Sequence, residues 1–241
     1  MNPIATQDVT CVERTLGASV QGRPVTAVVF SAPGVVDYTP WDTLFIGAFH
    51  GDEGPSADLM RDWIDWLCSD AAPLARLTAR GPLGVIAVAN PDGLAAQTRV
   101  NARGVDLNRN YPTRNWAPGE DDTPYYTGPE PASEPETRLL IALIDAIRPR
   151  KIISVHTPYR VVNYDGPAEA LAKAMGEANG YPVVADIGYP TPGSFGAYWG
   201  IERQISVITL ELPEDLPLET RREIILRDNL SALIVAAEFE G

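Results

Sequence analysis

The sequence predicts an α/β protein: a mixed, mainly parallel twisted sheet with helices on both faces. Three observations lead there: unbroken apolar runs of strand length, amphipathic stretches of helical spacing between them, and clusters of Gly, Pro, Asn and Asp at the joints. Residues 9–16 and 24–30 read as an opening hairpin joined across Gly17 to Gly22, the second strand carrying Val25, Ala27, Val28, Val29 and Phe30. Pro33 to Trp41 is a turn-rich link into a central strand over 43–49, and Ser56 to Cys68 then sets Leu59, Trp63, Ile64, Trp66 and Leu67 at helical spacing. A second apolar strand, 83–89, stops at Asn90-Pro91-Asp92-Gly93, a turn signal. Residues 94–133 show little periodicity, and a loop this long inside a compact domain, rich in Arg, Asn and Pro, reads as functional.

Ser133-Glu134-Pro135-Glu136 has the pattern of a capping box with Ser133 as N-cap, opening a helix through Leu139, Leu140, Leu143, Ile144 and Ile147 that Pro149 ends. The β-branched run from Lys151 to His156 is a strand stopped at Pro158, and a helix over 167–179 follows. After a Gly, Pro and Tyr-rich loop over 180–200, the run 205–212 alternates, with Ile208, Leu210 and Leu212 on one face and Thr209 and Glu211 on the other. A last helix spans about 218–237. No internal repeat and no linker divides the chain.

Composition narrows the function. The chain has 241 residues, 45% of them hydrophobic, and no apolar run of membrane-spanning length, so it can bury a sizeable core in water. A net charge of −13 disfavours a nucleic-acid partner, whose phosphates it would repel. Arg99, Arg103, Arg109 and Arg114 cluster locally, and in so acidic a chain they read as a pocket for a small anionic group. The N-terminal residues show neither the basic start nor the apolar stretch of a signal peptide, and only Cys11 and Cys68 are available for pairing; both observations point to a reducing cytoplasm.

The chain holds only two histidines, His50 and His156, and each is expected at the carboxyl end of a buried strand, where open α/β sheets bind their ligands. His50-Gly51-Asp52-Glu53 is half a metal site, since imidazole nitrogen and carboxylate oxygen both suit zinc and a tight turn lets them converge. Taken alone, the pair reads sooner as a histidine beside a glutamate favoured by a helix N-terminus. With His156 it becomes the three-ligand zinc set of hydrolytic enzymes, which keeps a position open for water and leaves Glu211 as a base.

Those residues, with Arg99-Val100-Asn101, Gly104-Val105-Asp106-Leu107-Asn108-Arg109-Asn110 and Thr209-Leu210-Glu211, resemble the zinc metallocarboxypeptidase family over about residues 43–213. The resemblance implies a single carboxypeptidase-like catalytic domain over 1–241 and one Zn2+ per chain on His50, Glu53 and His156. It implies Glu211 as general base, Asp106 as the carboxylate orienting a histidine ligand, and Arg99 as the group polarising the scissile carbonyl. Asn108 and Arg109 become the clamp on the leaving-side carboxylate, and Tyr189 the family's mobile tyrosine, with Tyr198 and Tyr159 close enough in sequence to compete. Within the family, the run from Arg99 to Pro112 and Thr191-Pro192-Gly193-Ser194-Phe195-Gly196 resemble small bacterial cytoplasmic members that act on cell-wall peptides, cutting between γ-D-glutamate and meso-diaminopimelate. The implied partner is therefore a small peptide substrate, with no nucleic acid and no membrane; monomer and homodimer both stay open. Arg103, Arg114, Glu120, Asp121 and Asp122 are candidates by position for contacts to the far end of diaminopimelate. N-acyl amino acid deacylases, which share a His-Gly-x-Glu and an Asn-Arg pair, are the competing hydrolases, and a metal-free binding protein is the alternative outside enzymes.

Overall fold

Apolar runs with no polar alternation can be covered only if both sheet faces are buried, and this is what the computed structural model shows over residues 9–32, 40–69 and 72–240. The elements run β1 (Thr10–Ala18), β2 (Pro24–Ser31), β3 (Thr43–Ile46), α1 (Gly54–Leu67), α2 (Leu74–Leu77), β4 (Leu83–Ile86), α3 (Pro91–Ala96), α4 (Pro135–Ile147), β5 (Lys151–His156), β6 (Tyr159–Asp165), α5 (Glu169–Asn179), β7 (Val183–Val184), β8 (Ser206–Pro213) and α6 (Arg221–Glu238). They form one eight-stranded mixed sheet in the order β1-β2-β4-β3-β5-β8-β6-β7. The centre, β4-β3-β5-β8, is parallel; the β1-β2, β2-β4 and β8-β6 pairs are antiparallel.

Side-chain alternation splits the interior into two cores. Phe45, Ile153, Val155, Ile208 and Leu210 pack with Leu59, Met60 and Trp63 of α1, Leu171 and Met175 of α5, and Leu233 of α6. Leu44, Ile46, Ile152 and Val207 point the other way, onto Leu140 and Ile144 of α4, Phe195 and Trp199. Each such side chain, fully buried, contributes about 2–3 kcal/mol, so neither face can be lost alone.

The chain runs from β3 to β4 on one side and later returns to β5 on the other side of β3, with α1 and α4 on opposite faces. That reversal opens a crevice at the carboxyl ends of β3 and β5.

The structure corrects several expected elements. The strand at 43–49 ends at Ile46; Gly47 and Ala48 hang on the last residue of β4 and the segment after it, with Gly47 N donating to Ile86 O at 2.8 Å and Asn90 N to Ala48 O at 2.9 Å, and Ala48 turns at φ 47°. The turn signal at Asn90 opens α3, because the side chain that starts a turn also caps a helix: Asn90 Oδ1 accepts from Gly93 N, with Pro91 in the first turn. Ser133 is not the N-cap of α4. Glu134 holds that position, and the Ser133 hydroxyl instead donates to Glu134 Oε1 and accepts from Asn110 Nδ2, while Glu136 accepts from Val20 N. Residues 159–165 form β6, an extra strand beyond Pro158, and 183–184 form β7. Most of the expected link from Pro33 to Trp41, and the N-terminal residues 1–8, lie outside the described residues. Cys11 and Cys68 are free thiols, their Sγ atoms 3.8 Å apart. Among the described residues no helix is long and apolar enough to cross a membrane.

Candidate metal centre and substrate cavity

His50 and Glu53 are set by a tight turn between β3 and α1. Glu53 N donates to His50 O at 3.3 Å; the Ser56 hydroxyl donates to Glu53 O at 2.7 Å and accepts from Ala48 N at 3.0 Å, stitching both ends of the turn together. The turn packs so closely on α3 that a Cβ on Gly51 would lie 1.8 Å from the Gly93 carbonyl carbon, so only glycine fits there. Glu53 is the residue just before α1, whose N-terminal dipole favours a carboxylate. His156 is the last residue of β5, and its neighbour across the parallel pair to β8 is Glu211.

These elements bring His50, Glu53 and His156 together, all buried, with one donor atom of each within 4.8 Å of the others. Nδ1 of His50 lies 2.7 Å from Glu53 Oε1, and Nδ1 of His156 lies 3.1 Å from Glu53 Oε2. Nε2 of His50 lies 3.1 Å from Asp106 Oδ1, a contact that in the neutral imidazole puts the proton on Nε2 and turns the Nδ1 lone pair towards Glu53. Burial alone would lower the pKa of His50, yet the carboxylates of Asp106 and Glu53 overcome it and push it up to about 9. Burial works against ionisation of Glu53 and Asp106 as well, and the histidines beside them nevertheless hold both carboxyls well below the usual range. The pocket is thus built for a positive charge, and two imidazoles with one carboxylate fit zinc.

Asp106, with no exposed surface, is the hub of the surrounding network. Its Oδ2 accepts from Nε and Nη2 of Arg99 at 3.0 and 2.9 Å, and its Oδ1 accepts from Asn108 N at 2.8 Å as well as from His50. Held from that side, Arg99 keeps Nη1 3.8 Å from Glu53 Oε1 and lays its guanidinium over the Tyr125 ring at 5.1 Å. Glu211 is buried, its Oε2 has no hydrogen-bond partner among the described residues, and burial first, then Glu53, raises its pKa against the pull of His156.

All of this opens on a cavity of about 960 Å3, the size of a small-molecule site. Asn108 and Arg109 line it beyond the metal position. Asn108 Oδ1 accepts from Phe195 N at 2.8 Å, leaving its NH2 for the cavity, and Arg109 spends Nη1 on Asn108 O at 2.7 Å, leaving other N–H groups of its fork. Gly193 lets the 190s loop close over them, since a Cβ there would meet Arg109 O at 2.1 Å. Tyr189 sits on the rim, partly exposed, with its ring 6.3 Å from that of Tyr159, and burial and Tyr159 push its phenol up to about 12. Of the three competing tyrosines, Tyr198 is buried against Tyr111 and Trp199 outside the cavity lining, whereas Tyr189 and Tyr159 line it, as does Tyr125.

The expected arginine cluster divides. Arg99 and Arg109 line the cavity; Arg103 points to Glu134 at 3.6 Å, and Arg114 lies outside the lining. Glu120, Asp121 and Asp122 lie outside it too, on an exposed loop, so none of these five lines the cavity. Asn163 and Asp165 of β6 do line it and were missed, although Val161, Asn163 and Asp165 alternating with Val162 and Tyr164 carry the signal of a strand.

A family model described as zinc carboxypeptidase matches residues 4–177. Murein peptide amidase A of Escherichia coli strain K12 is 34% identical over 208 residues, covering 82% of this chain and 79% of that one. Murein peptide amidase A of Vibrio campbellii is 43% identical over 152 residues, 56% of this chain and 59% of the other. Among solved structures, the murein-tripeptide amidase of Escherichia coli O157 aligns with a TM-score of 0.72 at 28% identity, covering 100% of this chain and 98% of that one. The family match includes His50, Glu53, Arg99, Asp106, Asn108, Arg109 and His156 and stops short of Tyr189 and Glu211.

Proposed function

Because the chain belongs to the zinc carboxypeptidase family, we propose that it hydrolyses the γ-D-glutamyl-meso-diaminopimelate bond of murein peptides, as a cytoplasmic enzyme of peptidoglycan recycling. In this reading residues 1–241 act as one catalytic domain holding one zinc on His50, Glu53 and His156. The observation that carries it is that those three donors and Glu211, whose Oε2 is unpartnered among the described residues, line one cavity that also presents Asn108 and Arg109.

Zinc bound there supplies a Lewis acid and acidifies a water towards neutrality. Glu211, buried in the cavity lining, is placed to accept a proton from the attacking water at Oε2 and to hand it to the departing amine. Arg99, tied to Asp106 through two of its nitrogens, donates from Nη1 to the oxygen on which negative charge develops. Asn108 and the planar fork of Arg109 hold the carboxylate of the leaving residue.

These roles separate kinetically. A clamp that holds substrate and transition state alike affects binding, so Arg109→Lys is expected to raise KM by about tenfold with kcat little changed, whereas Arg99→Ala lowers kcat by about 100-fold. Matching changes in both constants for the two variants would reject the division of labour.

The substrate reading is tested by comparing kcat/KM on L-Ala-γ-D-Glu-meso-diaminopimelate with that on an ordinary peptide ending in phenylalanine and on an N-acyl amino acid. The first is expected to exceed the others by several powers of ten, because a site built to pair polar groups rejects partners that lack them. Comparable rates on the phenylalanine peptide would make the protein a general carboxypeptidase, and preference for the N-acyl amino acid would make it a deacylase.

A further inference from the structure

The far end of the cavity holds a carboxylate with no partner. Asp165 ends β6 on the same face as Asn163, and both line the cavity together with Thr209 and Glu211 of β8. Among the described residues nothing donates a hydrogen bond to the Asp165 carboxylate and no ion pair reaches it, and its burial alone pushes the carboxyl up to about 6. A half-buried charge without a counter-charge is a net cost to the fold. The chain makes room for it all the same: a Cβ on Gly196 would lie 2.1 Å from Asp165 Oδ2, and one on Gly200 would lie 2.5 Å from Asp165 Cβ. Among the described residues Arg99 and Arg109 are the only Arg or Lys in the lining, and both belong to the metal end.

Position gives the reach. Val161 pairs with Glu211 and Asp165 pairs with Val207, so the two acids sit four residues apart along the strands, roughly 13 Å. A scissile carbonyl beside Glu211, the amide and Cα after it, and four carbon–carbon bonds to a distal ammonium span roughly 9 Å when extended. A charge-assisted hydrogen bond of about 3 Å closes the difference.

We infer that Asp165 is a specificity-determining residue that pairs with an ammonium group at the far end of the leaving residue's side chain. This rests on the proposed hydrolysis of a diaminopimelate-containing peptide, whose leaving residue carries such a group. It replaces Arg103, Arg114 and the 120–122 loop as the source of far-end contacts.

The test pairs removal of the amine with removal of the acid. Substrates are L-Ala-γ-D-Glu joined to meso-diaminopimelate or to 2-aminopimelate, which keeps the distal carboxylate and lacks the distal amine. Wild-type enzyme is expected to prefer the first by about 100-fold in kcat/KM, and Asp165→Asn to shrink that preference below about tenfold, chiefly through KM. Asp165→Asn is expected to melt no lower than wild type, since it removes an unpaired charge; a lower melting temperature with an equal loss on both substrates would mark a structural residue and overturn the inference. So would a preference that is absent in the wild type or unchanged in the variant. Calorimetric binding of free meso-diaminopimelate and 2-aminopimelate to both proteins gives a second readout. If no γ-D-glutamyl peptide is cleaved, the murein reading fails by itself, and an amine preference in binding that Asp165→Asn abolishes still upholds the role of Asp165, whereas one that survives the substitution rejects it.

Discussion

Glu211→Gln is expected to lower kcat by about a thousandfold while the protein keeps one zinc per chain. The side chain is buried beside His156, across the β5-β8 pair, so the isosteric amide fits the same space and leaves the three candidate ligands untouched. What it loses is the ability to take a proton. Oε2 has no partner among the described residues, so no hydrogen bond seen there is broken at that atom. His156→Ala is the contrasting case, because it removes a donor from the cluster: activity and metal retention are both expected to fall. Elemental analysis and turnover measured on the same preparations separate the two. A Glu211→Gln enzyme within tenfold of wild-type kcat would show that another group acts as base, and a His156→Ala protein with full zinc content would remove His156 from the ligand set.

How much of this was legible in the sequence depends on where each residue sits relative to a strand. His156 ends β5, and His50 follows β3 by four residues, so the apolar runs before them announced their place even though β3 ends earlier than expected. Thr209 and Glu211 were assigned to one face by simple alternation, and the cavity lies on that face. Asp165 was invisible for a local reason: Pro158 was read as the end of a sheet segment, whereas it lies in the short link between β5 and β6, where a missing N–H breaks no ladder. Arg103 and Arg114 were misplaced for the opposite reason. Nearness along an irregular loop says nothing about direction, and the fold turns Arg99 and Arg109 inward while sending Arg103 to Glu134. The Ser133 pattern failed because buried partners outbid a local cap: Asn110 and Glu134 hold its hydroxyl.

Asp106→Asn is expected to damage metal binding, catalysis and stability together, and the size of each loss follows from what Asp106 touches. Its two oxygens accept from His50, twice from Arg99 and from Asn108 N. An amide keeps one acceptor and turns the other into a donor, so either the Nε2–H of His50 or the fork of Arg99 must face an N–H group. If His50 turns its tautomer to suit, the lone pair leaves Nδ1 and the proposed metal ligand is lost; if Arg99 is displaced, the proposed donor for the developing oxyanion goes with it. Zinc affinity is therefore expected to fall by about 10–100-fold and kcat by about 100-fold or more. In metal-free protein the half-buried guanidinium and the buried imidazole lose their counter-charge, a loss of roughly 3 kcal/mol, or about 6–12 °C in Tm for a chain of this size. Melting the apo protein isolates this term from metal binding, and competition with a chromophoric chelator isolates the affinity. An Asp106→Asn protein that bound zinc as tightly as wild type and turned over at the same rate would show that His50 and Arg99 hold their places without Asp106.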